Sequence, residues 1–145
     1  MRVTFPRLPD HERAWALVER DDGVVYRLYG GAAGPRLPHD IMHLVVEREL
    51  RIKDGIWAGI AAGVSSHSPG LRAELLADLV SSAATLDTMT LDKIKRLSAA
   101  KLSVLPDAGV DPVVIAAAAR ALQVEAARWA RLRVGEELSY DWPGK

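Results

Sequence analysis

The chain has no cysteine among its 145 residues, and that absence removes disulfides, thiolate zinc sites, iron–sulfur clusters and cysteine nucleophiles together. Stability must then come from packing, and a chain of this length can bury roughly 68–70% of its unfolded surface. An excess of charge of one sign is also missing, since 19 Lys plus Arg offset 19 Asp plus Glu. No overall field therefore draws the chain to nucleic acid or to an acidic membrane surface. No run approaches the ~18 uncharged apolar residues of a membrane span, and Met1-Arg2-Val3-Thr4-Phe5-Pro6-Arg7 holds no apolar signal core. A soluble, cytoplasmic, single domain over 1–145 is the expectation, with an Ala/Arg/Leu-rich composition of the kind GC-rich bacterial genomes encode. The glycine-rich stretch 29–37 fits neither GxGxxG nor GxxxxGK[ST], so it is not a phosphate loop. Ser65, Ser66 and Ser68 lack a G-x-S-x-G elbow, which leaves them as loop composition.

What is present begins with a hairpin signal. Segments 13–19 and 24–29 are rich in β-branched and aromatic residues, and Asp22-Gly23 between them tolerates the positive φ of a tight turn. A lone hairpin is marginal in water. Residues 2–5 and 137–142 are the remaining strand candidates, and both are expected to join it in a small, mainly antiparallel sheet. A turn-rich connector is expected over 29–37. Pro38 and Asp40 open a helix expected over 38–52 and ended by Lys53-Asp54-Gly55. The apolar stretch 56–62, interrupted by small residues, reads as a buried helix or turn under the sheet, and 65–70 as a loop. Apolar residues at 71, 75, 76, 79, 80, 83 and 86 give a helical period over 71–86. Thr90 caps a helix over 91–105, and Asp111-Pro112 opens a last helix expected to reach Val134 and stop at Gly135. The fold class is α+β, a small sheet packed against three to five helices.

Chemistry concentrates at the start of the first helix. At 100° per residue, His39, His43, Glu47 and Asp40 fall at about 0°, 40°, 80° and 100°, on the margin between the apolar and exposed faces. Histidines one turn apart present two imidazoles to one point, and a carboxylate a turn further on can add an oxygen ligand. The expected metal set is therefore His39, His43 and Glu47, with a divalent ion such as zinc. His67, His11, Glu74 and Asp78 are candidates for further ligands. His-Asp-x-x-His invites comparison with the H-E-x-x-H zinc peptidases, which would make Asp40 the catalytic base. Aspartate is shorter by one methylene, roughly 1.5 Å, and a misplacement of ~1 Å can cost about a hundredfold in rate. A protease assignment does not follow, nor does the sequence decide that the protein is an enzyme.

Leu37-Pro38-His39-Asp40-x-x-His43-x-x-Val46-Glu47, then Asp54-Gly55-Ile56-Trp57 and Ala61-Ala62-Gly63, resembles a group of short bacterial proteins with a PHDxxHxxVE…DGFWG…AxG signature. The likeness continues at the chain end in Trp129, Gly135, Trp142 and Pro143. Its specific part covers 37–63, where Ala58 replaces a glycine of the pattern and Ile56 an aromatic residue. The resemblance implies no particular reaction.

Other features have plainer readings. Lys93, Lys95, Arg96 and Lys101, with Arg120, Arg128, Arg131 and Arg133, form basic helix faces that are expected to be solvated surface rather than a nucleic-acid site. Most of Trp15, Trp57, Trp129 and Trp142 are expected in the core, whereas an exposed pair would mark a partner or homo-oligomer interface. The leading expectation is a domain that binds a divalent metal or a polar small ligand through the His/Asp/His/Glu cluster. The alternative is a non-enzymatic protein-interaction domain in which the cluster is structural.

Overall fold

The structure is a computed structural model that describes residues 1–64, 70–105 and 110–143. Its described strands are β1 (Arg2–Pro6), β2 (Arg13–Glu19), β3 (Val25–Ala32) and β4 (Glu137–Asp141). They form one antiparallel sheet in the order β3-β2-β1-β4, so both chain ends join the hairpin as expected. The hairpin turns at Gly23, whose φ of 86° is the left-handed value the Asp-Gly pair anticipates.

Strand alternation puts Val3, Phe5, Ala16, Val18, Leu138 and Tyr140 on the buried face. The helices are α1 (His39–Leu50), α2 (Ile56–Ala61), α3 (Leu71–Ala84), α4 (Leu91–Lys101) and α5 (Pro112–Ala130), and their buried residues share one core cluster with that face. Helix α1 packs on both α3 and α5, and α4 covers the far side of that pair. Phe5 ties the layers together through edge-on contacts with Trp57, at 6.0 Å between centroids, and Tyr140, at 5.9 Å. Trp57 and Trp129 are core residues, while Trp15 and Trp142 are half-buried. Among the described residues no helix is long and apolar enough to cross a membrane.

Several expected boundaries are corrected. The connector expected from residue 29 is strand as far as Ala32, because Ala32 stays in register with Arg13 across a bulge and Ala33 N–H reaches Glu12 O at 2.6 Å. Helix α1 ends early, at Leu50 rather than Ile52, because Arg51 adopts φ 53° as a left-handed cap. Helix α5 ends at Ala130 rather than Val134, because the turn into β4 takes over: Gly135, at φ 97°, donates to Arg7 O at 3.0 Å. Helices α3 and α4 also stop short of their expected ends, at Ala84 and Lys101. The expected caps of α4 and α5 are in place, with Thr90 Oγ1 accepting from Lys93 N–H at 3.2 Å and Asp111 Oδ1 from Val113 N–H at 2.9 Å.

Candidate metal centre

Helix α1 positions both imidazoles. Its 3.6-residue turn stacks His39 in the first turn directly before His43, and packing on α3 and α5 fixes the direction of that face. The rings stand edge to face with centroids 4.4 Å apart, and the two Nε2 atoms are 2.8 Å from each other. That separation is a hydrogen bond, in which one Nε2 carries the proton and the other accepts it. His39 is exposed, whereas His43 is only 1% accessible. Burial is the main cause that lowers the His43 pKa, the neighbouring His39 adds to it, and Glu74 opposes it. His43 is thereby kept neutral near pH 7, the form that offers a lone pair.

The carboxylate beside the pair comes from α3. Glu74 Oε1 lies 3.9 Å from His43 Nε2, and the ligand atoms of His39, His43 and Glu74 all lie within 4.8 Å of one another. This His/His/Glu group joins two elements, and its outer members, His39 and Glu74, face solvent.

Glu47, expected as the third ligand, has another role. Its carboxylate is turned toward the start of α2, where Oε2 accepts from Ile56 N–H and Oε1 from Trp57 N–H, each at 2.9 Å. It satisfies the otherwise orphaned amides of that helix from a distant position in the chain. Gly55 makes room for it, because a Cβ there would stand 2.1 Å from the Glu47 carboxyl carbon. Desolvation dominates over those hydrogen bonds and raises the Glu47 pKa to about 7.

The other candidates separate as well. The Asp40 side chain turns toward the sheet, with Oδ2 3.3 Å from the position a Cβ on Gly30 would occupy, while its backbone carbonyl accepts from Trp57 Nε1 at 2.9 Å. It is not a member of the three-residue cluster. Asp78 pairs with Lys101 at 2.9 Å. His11 sits at φ 71° beside the sheet, its amide donating to Ala33 O at 3.0 Å. His67 lies outside the described residues, as does the expected connector over 106–109.

A second polar group is formed by Tyr140, Glu125 and Arg128. Tyr140 donates to Glu125 Oε2 at 2.6 Å, and Arg128 Nη1 holds both Glu125 oxygens at 2.8 and 3.0 Å. Burial, with the Glu125 carboxylate next, pushes the Tyr140 phenol upward. The triad joins α5 to β4, and no feature of the sequence pattern singled it out.

An α+β fold with a His/His/Glu cluster at the α1–α3 junction is thus the class that the architecture defines. Compared with protein-family models, curated proteins and solved structures, the chain has no significant match.

Proposed function

We propose that this protein binds a divalent metal ion, zinc being the best fit, through His39 Nε2, His43 Nε2 and a Glu74 carboxylate oxygen. The convergence of these three groups from two helices carries the reading. Two nitrogens bound to zinc at ~2.0–2.1 Å with a tetrahedral angle are roughly 3.3 Å apart. The imidazoles therefore need to open by only about 0.5 Å from their hydrogen-bonded separation of 2.8 Å, the ion replacing the shared proton. Three protein ligands with an exposed outer side leave a fourth position for water or a ligand, the arrangement of reactive rather than purely structural zinc sites. Glu47 and Asp40 are positioning residues in this reading: one anchors α2 beneath the helix that carries the histidines, and the other fixes the helix start against β3.

Metal analysis and calorimetric titration of tag-free protein test the proposal. One equivalent of zinc is expected for the unmodified chain, with a loss of at least tenfold in affinity for His39→Ala and for Glu74→Ala, both exposed positions. Glu47→Gln should keep zinc at full stoichiometry. Equal zinc binding by the unmodified chain and both ligand variants would refute it.

A second reading, a protein-interaction domain, rests on the outward face of the sheet. There Arg27 stacks on Trp15 at 4.2 Å and Arg13 on Tyr29 at 4.8 Å. Paired Trp15→Ala and Tyr29→Ala changes would abolish association in that case while leaving zinc binding unaffected.

A further inference from the structure

Helix α5 buries one face and leaves the other bare. Ile115, Ala118, Ala119, Leu122 and Trp129 are buried, and the helix packs on α1, α3 and α4. Along its opposite side Val113, Ala117, Arg120, Val124, Ala127 and Arg131 follow one another at steps of four and three residues, and all of them are exposed. At 100° per residue they fall within an arc of about 80°, a stripe roughly 27 Å long. That spacing is the seam along which one helix packs lengthwise on another. A solvated helix face is normally polar, yet Val113 is 55% and Val124 58% accessible, and the exposed Val114 borders the stripe.

The charge on this side has one sign. Between Pro112 and Arg131 the single carboxylate is Glu125, which is buried and held by Tyr140 and Arg128. Arg120 and Arg131 form no ion pair among the described residues.

We infer that the exposed face of α5 docks an amphipathic helix of a partner protein, one that carries acidic side chains beside its apolar stripe. The valines offer the apolar strip, and Arg120 and Arg131, about three turns apart, offer the cations that fix register and partner choice. A second copy of this chain is a poorer fit, because two such faces would bring arginines together with no carboxylate on either side. An anionic lipid surface would engage the arginines, but the stripe has no aromatic or leucine side chain to insert. A nucleic acid would leave the valines uncovered. The stripe shares no residue with the His/His/Glu cluster or with the Trp15 and Tyr29 face, so the inference goes beyond both readings of function.

Two synthetic peptides of about three heptads serve as probes, each with leucine at the seam positions and differing only in having glutamate or lysine beside them. At roughly 0.15 M salt the glutamate peptide should bind at least about tenfold more tightly. Combined Arg120→Glu and Arg131→Glu should invert that preference. Val124→Ser should weaken binding at unchanged charge, which separates docking from attraction alone. All three positions are exposed, so the core is left intact. Amide NMR signals of the unmodified protein locate the contact without any substitution: those of Val113, Ala117 and Val124 should shift, and those of Trp15 and Tyr29 should remain in place. Equal affinity for the two peptides, a preference that survives the charge reversal, or shifts located away from α5 would overturn the inference. So would failure of the glutamate peptide to bind where phosphatidylserine vesicles or a single-stranded oligonucleotide do, and so would dimerisation of the unmodified chain that Val124→Ser removes.

Discussion

Replacing Gly55 by alanine isolates the most unusual packing contact in the molecule. The backbone at Gly55 has φ −88° and ψ −177°, which alanine adopts without strain, so the cost of the change is steric alone. An added Cβ would lie 2.1 Å from both the Cδ and Oε1 of Glu47, and ordinary contact needs well over 3 Å. The carboxylate must therefore retreat by more than about 1 Å, which breaks its hydrogen bonds to Ile56 and Trp57. A buried amide left without a partner costs roughly 1–3 kcal/mol. Two of them give about 2–6 kcal/mol, and the lower half applies because Glu47 borders a cleft through which water can reach. Glu47→Ala removes the same two acceptors and should cost a similar amount. In combination the changes should not add: once the carboxylate is gone the three atoms nearest the new methyl are gone with it, and Gly55→Ala in that background should alter stability by less than about 0.5 kcal/mol. Urea denaturation of the four proteins, followed by far-UV circular dichroism, yields the coupling, expected near ~2–4 kcal/mol. Additivity within about 0.5 kcal/mol would refute the reasoning.

The same carboxyl gives a pH signature. Its pKa in the folded protein is raised to about 7 from 4.5, so its contribution to stability is complete below pH 4.5 and falls as the pH rises through 7, by up to about 3 kcal/mol; unfolding free energies of the unmodified chain minus Glu47→Gln, measured at pH 5 and 7.5, should decrease, and a flat difference would contradict the shift. Tyr140→Phe removes a buried donor to the Glu125 carboxylate and should cost roughly 1.5–3 kcal/mol in chemical denaturation without altering zinc stoichiometry. Asp111→Ala, which removes the cap of α5, should cost ~1 kcal/mol in the same assay. Zinc at a hundredfold its dissociation constant should stabilise the protein by about 2.7 kcal/mol, a melting shift of roughly 5–10 °C that Glu74→Ala should cut by about half or more.

Local patterns in the chain were enough to locate the sheet, the helices and one half of the candidate site. The hairpin and both terminal strands follow from turn chemistry and β-rich runs, and helical periodicity alone stacks His39 before His43. The third member of the cluster could not be found that way. On a helical wheel Glu47 shares a sector with the histidines, but it lies about 12 Å along the axis from His39. Its partner is chosen by Gly55 and the N-terminus of α2, a contact that exists only once the chain has folded back. Glu74 was one carboxylate among several until the packing of α3 on α1 selected it, while Lys101 engaged Asp78. Glycine misled in two places for the same reason. Gly30 and Gly31 continue β3 because β2 offers a ladder, and Gly135 turns the chain into β4 instead of closing α5. In each case a partner remote in sequence outweighed the local preference.

Anomalous scattering at the zinc edge, from crystals grown with equimolar zinc, bears most directly on the metal reading. A single strong peak should lie within about 2.2 Å of His39 Nε2, His43 Nε2 and a Glu74 oxygen. Absence of density there, with the imidazoles still hydrogen-bonded to each other or the zinc located at a different set of side chains, would contradict it.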